Sequence, residues 1–513
     1  MSSSRASTSI PVATQVDQLA EAVKTALRRA VLTGESAQVD QYNLGHAYAE
    51  LRCAAVAMSA SQTEHTLLNA QLALAEAAGS LARSDHLATL AAAGPIAPPD
   101  SDLIDTVYTS EPAINEAEEL VMLRDIFARF SQEEITPVAD RVHRQNLDVP
   151  EEIISGLAEM GAFGLSIPEE YGGSATGAVT DLLAMLVVTE ELSRASLGIG
   201  GSLITRPEII ARALLAGGTQ LQKERWLPML ASGEAMGAVA VTEPDFGSDV
   251  AEIACTAVKV DGGWRISGTK TWCTFAGRAD VLAVLVRTEP ERSLRHRGLS
   301  LFLVEKPAFN GHSFAVDSNG GTLEGRAIDT LGYRGMHSYE VRFDSWFTPD
   351  DSLVGGESGQ GRGFYIQMAG FESGRLQTVA RANGLMRAAK DAGLAYARDR
   401  SVFGRRLTGF PLTRYKLARM QSTVAATRLW AEYCAKEVAK GTGALEASMA
   451  KAHACRSAEW VAREAMQIHG GMGYAEEYPV SRYFVDARVL SIFEGADETL
   501  TLKVIVPEVA KLA

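Results

Sequence analysis

The sequence predicts an α+β protein in which a compact β region is set between two helical stretches, with a further helical extension in front. Three observations predict it. Apolar residues recur at three- and four-residue spacing up to about residue 235 and again from 363, the pattern of helices that bury one face. Between 238 and 355 the texture changes to short runs rich in Val, Ile, Thr and aromatics, separated by Gly, Asp and Pro, which read as strands and turns. A chain of 513 residues is long enough for two to four domains and a large core.

Taken in order, "VDQLAEAVKTALRRAVL" and "TLLNAQLALAEAAGSLA" are amphipathic helices of an N-terminal extension, residues 1–92. This is either a separate module or an extension packed on the rest. In "AAAGPIAPPDSD" three prolines and a glycine stop any helix, marking a linker over 93–113. Helical patterns return in "NEAEELVMLRDIFARFSQEEITPVADRV", "PEEIISGLAEMGAF" and "VTDLLAMLVVTEELSRAS", giving an α domain over 114–237. The strands follow in "GAVAVTE", "CTAVKVDGGWRISGTKTWCT", "DVLAVLVRT", "LSLFLVEK" and "YEVRFDSWFTP", a β domain over 238–355 with "VDGGW" as a hairpin turn. Long helices occupy 356–513, broken at "FGRRLTGFP" and "HGGMGYAEEYP".

Hydrophobic residues make up 46% and charged ones 22%, ordinary for a globular protein. The net charge of −14 argues against a nucleic-acid backbone as partner, which wants clustered Lys and Arg. Five widely spaced cysteines without a CxxC pair fit a reducing compartment, with neither a disulfide framework nor a zinc cluster. No apolar run of eighteen residues occurs, and the first residues lack the apolar core of a secretory signal. The expected address is therefore cytoplasmic, with no membrane partner. No metal-ligand spacing is visible, nor a Gly-x-Ser-x-Gly nucleophile; "GQGRG" at 359–363 lacks the setting of a dinucleotide fingerprint.

Several stretches carry chemistry, each with a plainer reading beside it. In "AVTEPDFGSDVA" the amides around Gly247 and the Ser248 hydroxyl can cradle a pyrophosphate, or the stretch is a simple β-turn. In "SGTKTWCTFAGRAD", Trp272 and Thr274 sit at alternate strand positions and so on one face. They suit an aromatic cofactor ring, one by stacking and one by hydrogen bonding, or they are a core Trp and a surface Thr. "YARDRSVFGRRL" gathers Arg398, Arg400, Arg405 and Arg406 around Phe403, either a solvated helix end or a phosphate site. Gly470 and Gly471 allow backbone to lie flat on a ligand, while His469 beside them is a base or a structural histidine. In "SIFEGADETL", Glu494 is an acid at the edge of an apolar pocket or a loop glutamate ahead of first-turn acids Asp497 and Glu498.

Together and in this order, "AVTEPDFGSD", "GTKTWCT", "LGYRGMHSYEVRFDSWFTPDDSLVG", "RDRSVFGRRL", "QIHGGMGYAEEYPVSRYFVDARV" and "IFEGADETL" resemble the acyl-CoA dehydrogenase family over about 114–513. The first hundred residues lie outside the resemblance. It implies that family's fold, an N-terminal helical domain, a middle β-barrel-like domain and a C-terminal four-helix bundle, here with the extra extension. It also implies FAD. Thr242, Gly247 and Ser248 match the loop that contacts flavin and pyrophosphate, and Trp272 and Thr274 the pair that packs on the isoalloxazine and bonds it near N5. Arg400 and Phe403 match residues that meet the FAD of a neighbouring subunit, and Gln467, Gly470 and Gly471 the segment holding its ADP part. Glu372 and Arg375 in "GFESGRL" match an acid–arginine pair near the CoA chain.

Glu494 matches the catalytic base. A carboxylate in an apolar, water-excluded slot is a stronger base, and donors to the thioester carbonyl stabilise the enolate. As the α-proton moves to Glu494, hydride leaves Cβ for flavin N5, and the product is a trans-2-enoyl-CoA. Some members place the base just before the arginine of "GFESGRL", but position 374 is Gly, which closes that option. Two departures touch the flavin contacts: the usual "EGT" reads Glu494-Gly495-Ala496, and Phe275 replaces an Asn.

A gapless match puts Thr205 and Arg206 of "GGSLITRPEI" at the floor of the acyl pocket, where a buried arginine asks for a substrate carboxylate. The alternative turns Arg206 outward to solvent or CoA. With Arg206 inward the substrate is a short dicarboxylic acyl-CoA; the resemblance of the whole chain, including its helical extension and "RAIDTLGYRGMHSYE", implies methylsuccinyl-CoA, giving mesaconyl-CoA in the ethylmalonyl-CoA pathway. Rival readings are a butyryl- or isovaleryl-type dehydrogenase, an acyl-CoA oxidase and, disfavoured by the acidity, a DNA-associated member. Electron-transferring flavoprotein as acceptor and a homodimer or homotetramer are what the family implies.

Overall fold

A computed structural model of the chain describes residues 11–61, 63–83, 96, 99, 101–110 and 116–512. The chain divides into two compact units. A terminal unit gathers residues up to Glu116, Met386–Val480 and Ser491 onward; a central unit holds Ala117–Leu385 and Ser481–Leu490.

The extension opens with helices α1 (Val12–Thr33), α2 (Gln38–Ala60) and α3 (Glu64–Arg83). Of the residues assigned to it, 1–10, 62 and 84–92 lie outside the described residues. So do 93–95, 97, 98, 100 and 111–113 of the expected linker, but its middle forms helix α4 (Ser101–Thr109). The helix begins after the last proline, and Leu103, Ile104, Val107 and Tyr108 share an apolar face that packs with Leu68, Leu72, Ala418 and Tyr415.

Helices α5 (Glu118–Phe130), α6 (Thr136–Gln145), α7 (Glu151–Glu159), α8 (Val179–Ala195), α9 (Thr205–Gly217) and α10 (Gln220–Ser232) lead the central unit. Helix α10 starts in a capping box: the Thr219 hydroxyl accepts from Gln222 N at 3.2 Å, and Thr219 N donates to Gln222 Oε1 at 2.9 Å. Eight strands follow: β1 (Gly237–Ala240), β2 (Thr256–Val260), β3 (Gly263–Thr274), β4 (Val281–Arg287), β5 (Leu299–Glu305), β6 (Ser313–Ser318), β7 (Gly321–Ala327) and β8 (Ser338–Pro349). They form one curled sheet in the order β1-β4-β2-β3-β8-β7-β6, with β5 paired to β4. Strand β1 runs parallel to β4, and the hairpins are antiparallel.

Strand β4, "VLAVLVR", is apolar without alternation because both of its faces are covered. Leu282, Val284 and Val286 enter a core with Trp264, Ile266, Phe302 and Val341. Val281, Ala283 and Leu285 pack instead with Ile210, Leu214, Trp226 and Leu230 of the helices. The end of β1, where the chain leaves the sheet, is paired to this covered strand.

The long helix α11 (Gly363–Asp399) contributes residues to both units. After it come a two-residue hairpin, β9 (Ser401–Val402) and β10 (Arg405–Arg406), then α12 (Pro411–Ala439), α13 (Ala444–His469), α14 (Gly471–Tyr474), α15 (Val480–Leu490), α16 (Asp497–Leu500) and α17 (Val506–Lys511). In the terminal unit α2 packs closely on the last helices: a Cβ on Gly45 would lie 2.8 Å from the Thr501 methyl. All five cysteines are free and buried. Among the described residues, no helix is long and apolar enough to cross a membrane.

Candidate functional site

In the central unit the loop after β1 is anchored by a buried acid. Glu243 accepts from Ala254 N at 2.6 Å and Cys255 N at 2.9 Å, and its Oε1 meets Lys270 Nζ at 2.8 Å. Lys270 is fully buried and also donates to Val241 O at 3.0 Å. The loop closes on itself through Glu243 N to Phe246 O, 3.0 Å, and Phe246 N to Glu243 O, 3.2 Å. Thr242 accepts at its carbonyl from Thr271 N, 2.8 Å, tying the loop to β3. Gly247 and Ser248 stand exposed at the rim, and a Cβ on Gly247 would meet nothing within 4 Å. The rim thus has room for a phosphate against backbone amides.

Strand β3 does not stay regular as far as its candidates. Lys270 pairs with Val341 but Cys273 with Tyr339, so β3 holds one extra residue in a bulge. Trp272 sits in that bulge with φ 58° and is 55% exposed, while Cys273 turns into the core. Thr274 is half-buried, its hydroxyl 3.0 Å from that of Ser338. Phe275, also left-handed, is buried and donates its N–H to His337 O at 2.8 Å.

Arg206 turns inward, with 6% of its surface exposed; the solvent-facing alternative is not adopted. Its Nε donates to Ser202 O at 3.3 Å and its Nη2 to Thr205 Oγ1 at 3.4 Å. A second arginine, Arg381, is fully buried beside it and donates to Gly201 O at 2.7 Å and Thr205 Oγ1 at 2.8 Å. Two guanidinium groups therefore converge on the Thr205 hydroxyl. Tyr333, whose N–H is held by Asp486 at 2.6 Å, bonds the Ser202 hydroxyl. Arg381 shares a face of α11 with Thr378 and Gln367. Gln367 is fully buried, yet among the described residues neither amide atom has a hydrogen-bond partner. Arg375 is half-buried on the same helix; the side chain of Glu372 lies outside the described residues.

In the terminal unit Glu494 has φ 52° and is half-buried, and Ile492 beside it is 54% exposed. Phe493, directly before Glu494, is half-buried as well. The loop itself is well held: buried Lys451 donates to Gly495 O at 2.7 Å, and Asp497 N to Ser491 O at 3.1 Å. Asp497 accepts from Tyr42 Oη at 2.6 Å and lies 3.2 Å from His46 Nε2, so helix α2 of the extension grips the segment just after Glu494.

At the hairpin, Phe403 (φ 50°) and Gly404 (φ 78°) make the two-residue turn with both residues left-handed. Phe403 is 95% exposed at its tip and Arg400 is exposed at its base. The other arginines are used locally: Arg405 stacks on Phe410, and Arg406 donates to the carbonyls of Arg398 and Asp399. Gln467, Gly470 and Gly471 are exposed where α13 ends, with open space around both glycines. His469 is structural: it is buried, bonded through Nδ1 to Ala465 O at 2.8 Å, and stacked on Tyr396.

Trp272, Phe403 and Glu494 are among ten non-glycine residues with left-handed backbone among the described residues. Glu243, Lys270, Arg381 and Gln367 were not visible in the sequence, since an isolated charged or polar residue in an ordinary strand or helix carries no local signal of burial.

Three family models match successive parts of the chain: acyl-CoA dehydrogenase N-terminal domain over residues 117–234, middle domain over 238–346 and C-terminal domain over 361–506. A (2S)-methylsuccinyl-CoA dehydrogenase from Cereibacter sphaeroides is 45% identical over 383 residues, covering 74% of this chain and 68% of that protein. An acyl-CoA dehydrogenase from Bacillus subtilis (strain 168) is 35% identical over 382 residues, 74% of this chain and 95% of that protein. The structure of a glutaryl-coenzyme A dehydrogenase glutaryl-CoA complex aligns with a TM-score of 0.71 at 30% identity, over 78% of this chain and 97% of that one.

Proposed function

Because the chain belongs to the acyl-CoA dehydrogenase family, we propose that its substrate is (2S)-methylsuccinyl-CoA and its product mesaconyl-CoA, with Glu494 as the base. The coarser activity follows from membership: it is an oxidoreductase acting on the CH–CH group of an acyl-CoA, and the family's members are FAD flavoproteins. FAD, when bound, accepts the hydride that leaves Cβ.

The open rim at Gly247 and Ser248 and the outstanding Trp272 fit such a group, and Thr242 and Thr274 are assigned to it with them. Arg400 and Phe403, and Gln467, Gly470 and Gly471, are assigned to the FAD of a neighbouring subunit in a homodimer or homotetramer. Glu494 takes the α-proton, and its left-handed backbone sets the direction of the carboxylate. Glu372 and Arg375 hold the CoA chain. Electron-transferring flavoprotein is the proposed acceptor, and the step belongs to the ethylmalonyl-CoA pathway in the cytoplasm.

The single observation that carries the acyl group is the inward Arg206, sharing Thr205 with a second buried arginine. Thr205 positions both guanidinium groups, and Arg206 receives the distal carboxylate of the substrate. A charge-assisted pair of this kind favours a substrate that carries the distal carboxylate over one that lacks it. Turnover of methylsuccinyl-, butyryl- and isovaleryl-CoA, in wild type and Arg206→Ala, tests it. The expected result is a loss of at least a hundredfold confined to methylsuccinyl-CoA. Equal loss on all three removes the carboxylate role, and preference of the wild type for butyryl- or isovaleryl-CoA assigns a monocarboxylic substrate instead. Glu494→Gln should retain yellow FAD and lose turnover by orders of magnitude; an unchanged rate moves the base elsewhere.

A further inference from the structure

The tertiary fold of the central unit brings together three side chains that lie far apart in the chain. Asp148 is in the turn between α6 and α7, His312 immediately precedes β6, and His337 immediately precedes β8. His337 Nε2 is 3.4 Å from Asp148 Oδ1, His312 Nε2 is 3.7 Å from the same oxygen, and the ligating atoms of all three lie within 4.8 Å of one another. Donors around a tetrahedral zinc, at about 2.0–2.1 Å from the metal, are separated by about 3.3 Å. The two histidine–aspartate separations are therefore close to that spacing already.

Their surroundings hold them there. Gly311 N donates to the other carboxylate oxygen of Asp148 at 2.7 Å, which leaves Oδ1 turned to the histidines. Tyr339 donates to Gly311 O at 2.9 Å, and Ala327 N to His312 O at 2.8 Å, fixing the loop that carries His312. His337 is buried in left-handed backbone, with its carbonyl taken by Phe275 N at 2.8 Å. Such outer partners are what orient ligands in metal sites. His337 Nε2 donates to Leu147 O at 3.2 Å, a proton that a cation bound at Nε2 displaces, leaving that oxygen within reach as a further ligand, and the half-exposed His312 leaves a path from solvent.

We propose that Asp148, His312 and His337 form a binding site for a divalent transition cation, zinc or a metal of like preference such as cobalt. Two imidazoles and one carboxylate are the donor set that such borderline ions take. Leu147 O or a water completes the coordination. Bound there, the ion ties the α6–α7 turn to the two loops that enter β6 and β8, and acts as a clip within the unit.

Chelator-washed holoprotein, titrated with ZnCl2 and with CoCl2 by calorimetry and then dialysed for metal analysis, tests the site. One cation per chain is expected, with a raised melting midpoint. His312 is half-exposed, so His312→Ala should fold as wild type and bind at least tenfold more weakly, as should Asp148→Asn. In wild type, the visible d–d bands of four-coordinate cobalt give a readout that needs no variant. Absence of stoichiometric uptake overturns the site, as does uptake that both variants leave unchanged.

Discussion

Lys270 and Glu243 form a buried ion pair beside the β1 loop. Lys270 is a fully buried ammonium, and Glu243 is the carboxylate that neutralises it while also binding two backbone N–H groups. Removing one member of a buried pair leaves an uncompensated charge and costs about 3–5 kcal/mol, whereas replacing both by apolar groups can be nearly neutral. Glu243→Ala should therefore lower the melting midpoint clearly and weaken FAD retention, because the rim with Gly247 and Ser248 loses its anchor. The double variant Glu243→Leu/Lys270→Met should recover part of the stability, because the N–H groups of Ala254 and Cys255 still lose their acceptor, but not the FAD affinity. Calorimetric melting and flavin titration of the three proteins check both halves. If the double variant retains FAD fully, the anchoring role is wrong. The same residue scale shows what sequence reading could reach. Trp272, Phe403 and Glu494 were legible through short motifs, whereas the bulge that lifts Trp272 from the sheet and the inward turn of Arg206 depended on partners far along the chain.

At the scale of elements, the contact to weigh is helix α2 against the segment that follows Glu494. Tyr42 and His46 lie four residues apart, one helical turn, and so meet Asp497 together. Burial, the largest influence on Asp497, pushes its carboxyl up, but His46, Tyr42 and Arg456 outweigh it and hold the group below its ordinary value. An acid lowered on folding contributes stability that is full above its unfolded value, about pH 4, and is lost as the pH falls through the folded one. Stability followed between about pH 5 and pH 3 should therefore fall less steeply in Asp497→Asn than in wild type. Tyr42→Phe removes one charge-assisted bond, worth about 1.5–3 kcal/mol. It should reduce kcat while FAD binding stays unchanged, as expected if the helix positions Glu494. Unchanged kcat would reduce α2 to a packing element.

At the scale of the whole molecule, the extension follows the second of the two arrangements that the sequence left open and packs on the rest. Residues that the sequence assigns to an extension fall in the same compact unit as the C-terminal helices, and the expected linker contains α4. Leu68, Leu72 and Val107 close over Ala418 and Tyr415 in a small core of that unit. Deleting residues 1–92 should uncover this apolar face together with those of α2, and exposed patches of that kind drive association. The truncated protein is expected to melt lower and to scatter light on concentration; a monodisperse protein with the wild-type melting midpoint would make the extension dispensable for stability.

By itself the sequence determined the succession of helices, strands and helices, and the ordered short motifs that mark the family. Both are local properties: a period of 3.6 or 2, a glycine at a turn, a few side chains at fixed spacing. Tertiary structure alone decided which charges are buried and what meets them. Glu243 with Lys270, Arg206 with Arg381, Tyr42 with Asp497, and Asp148 with His312 and His337 all join residues separated by tens to hundreds of positions. The energy of a charge depends on the dielectric and the partners packed around it, and those are supplied by segments that come together only in the folded chain.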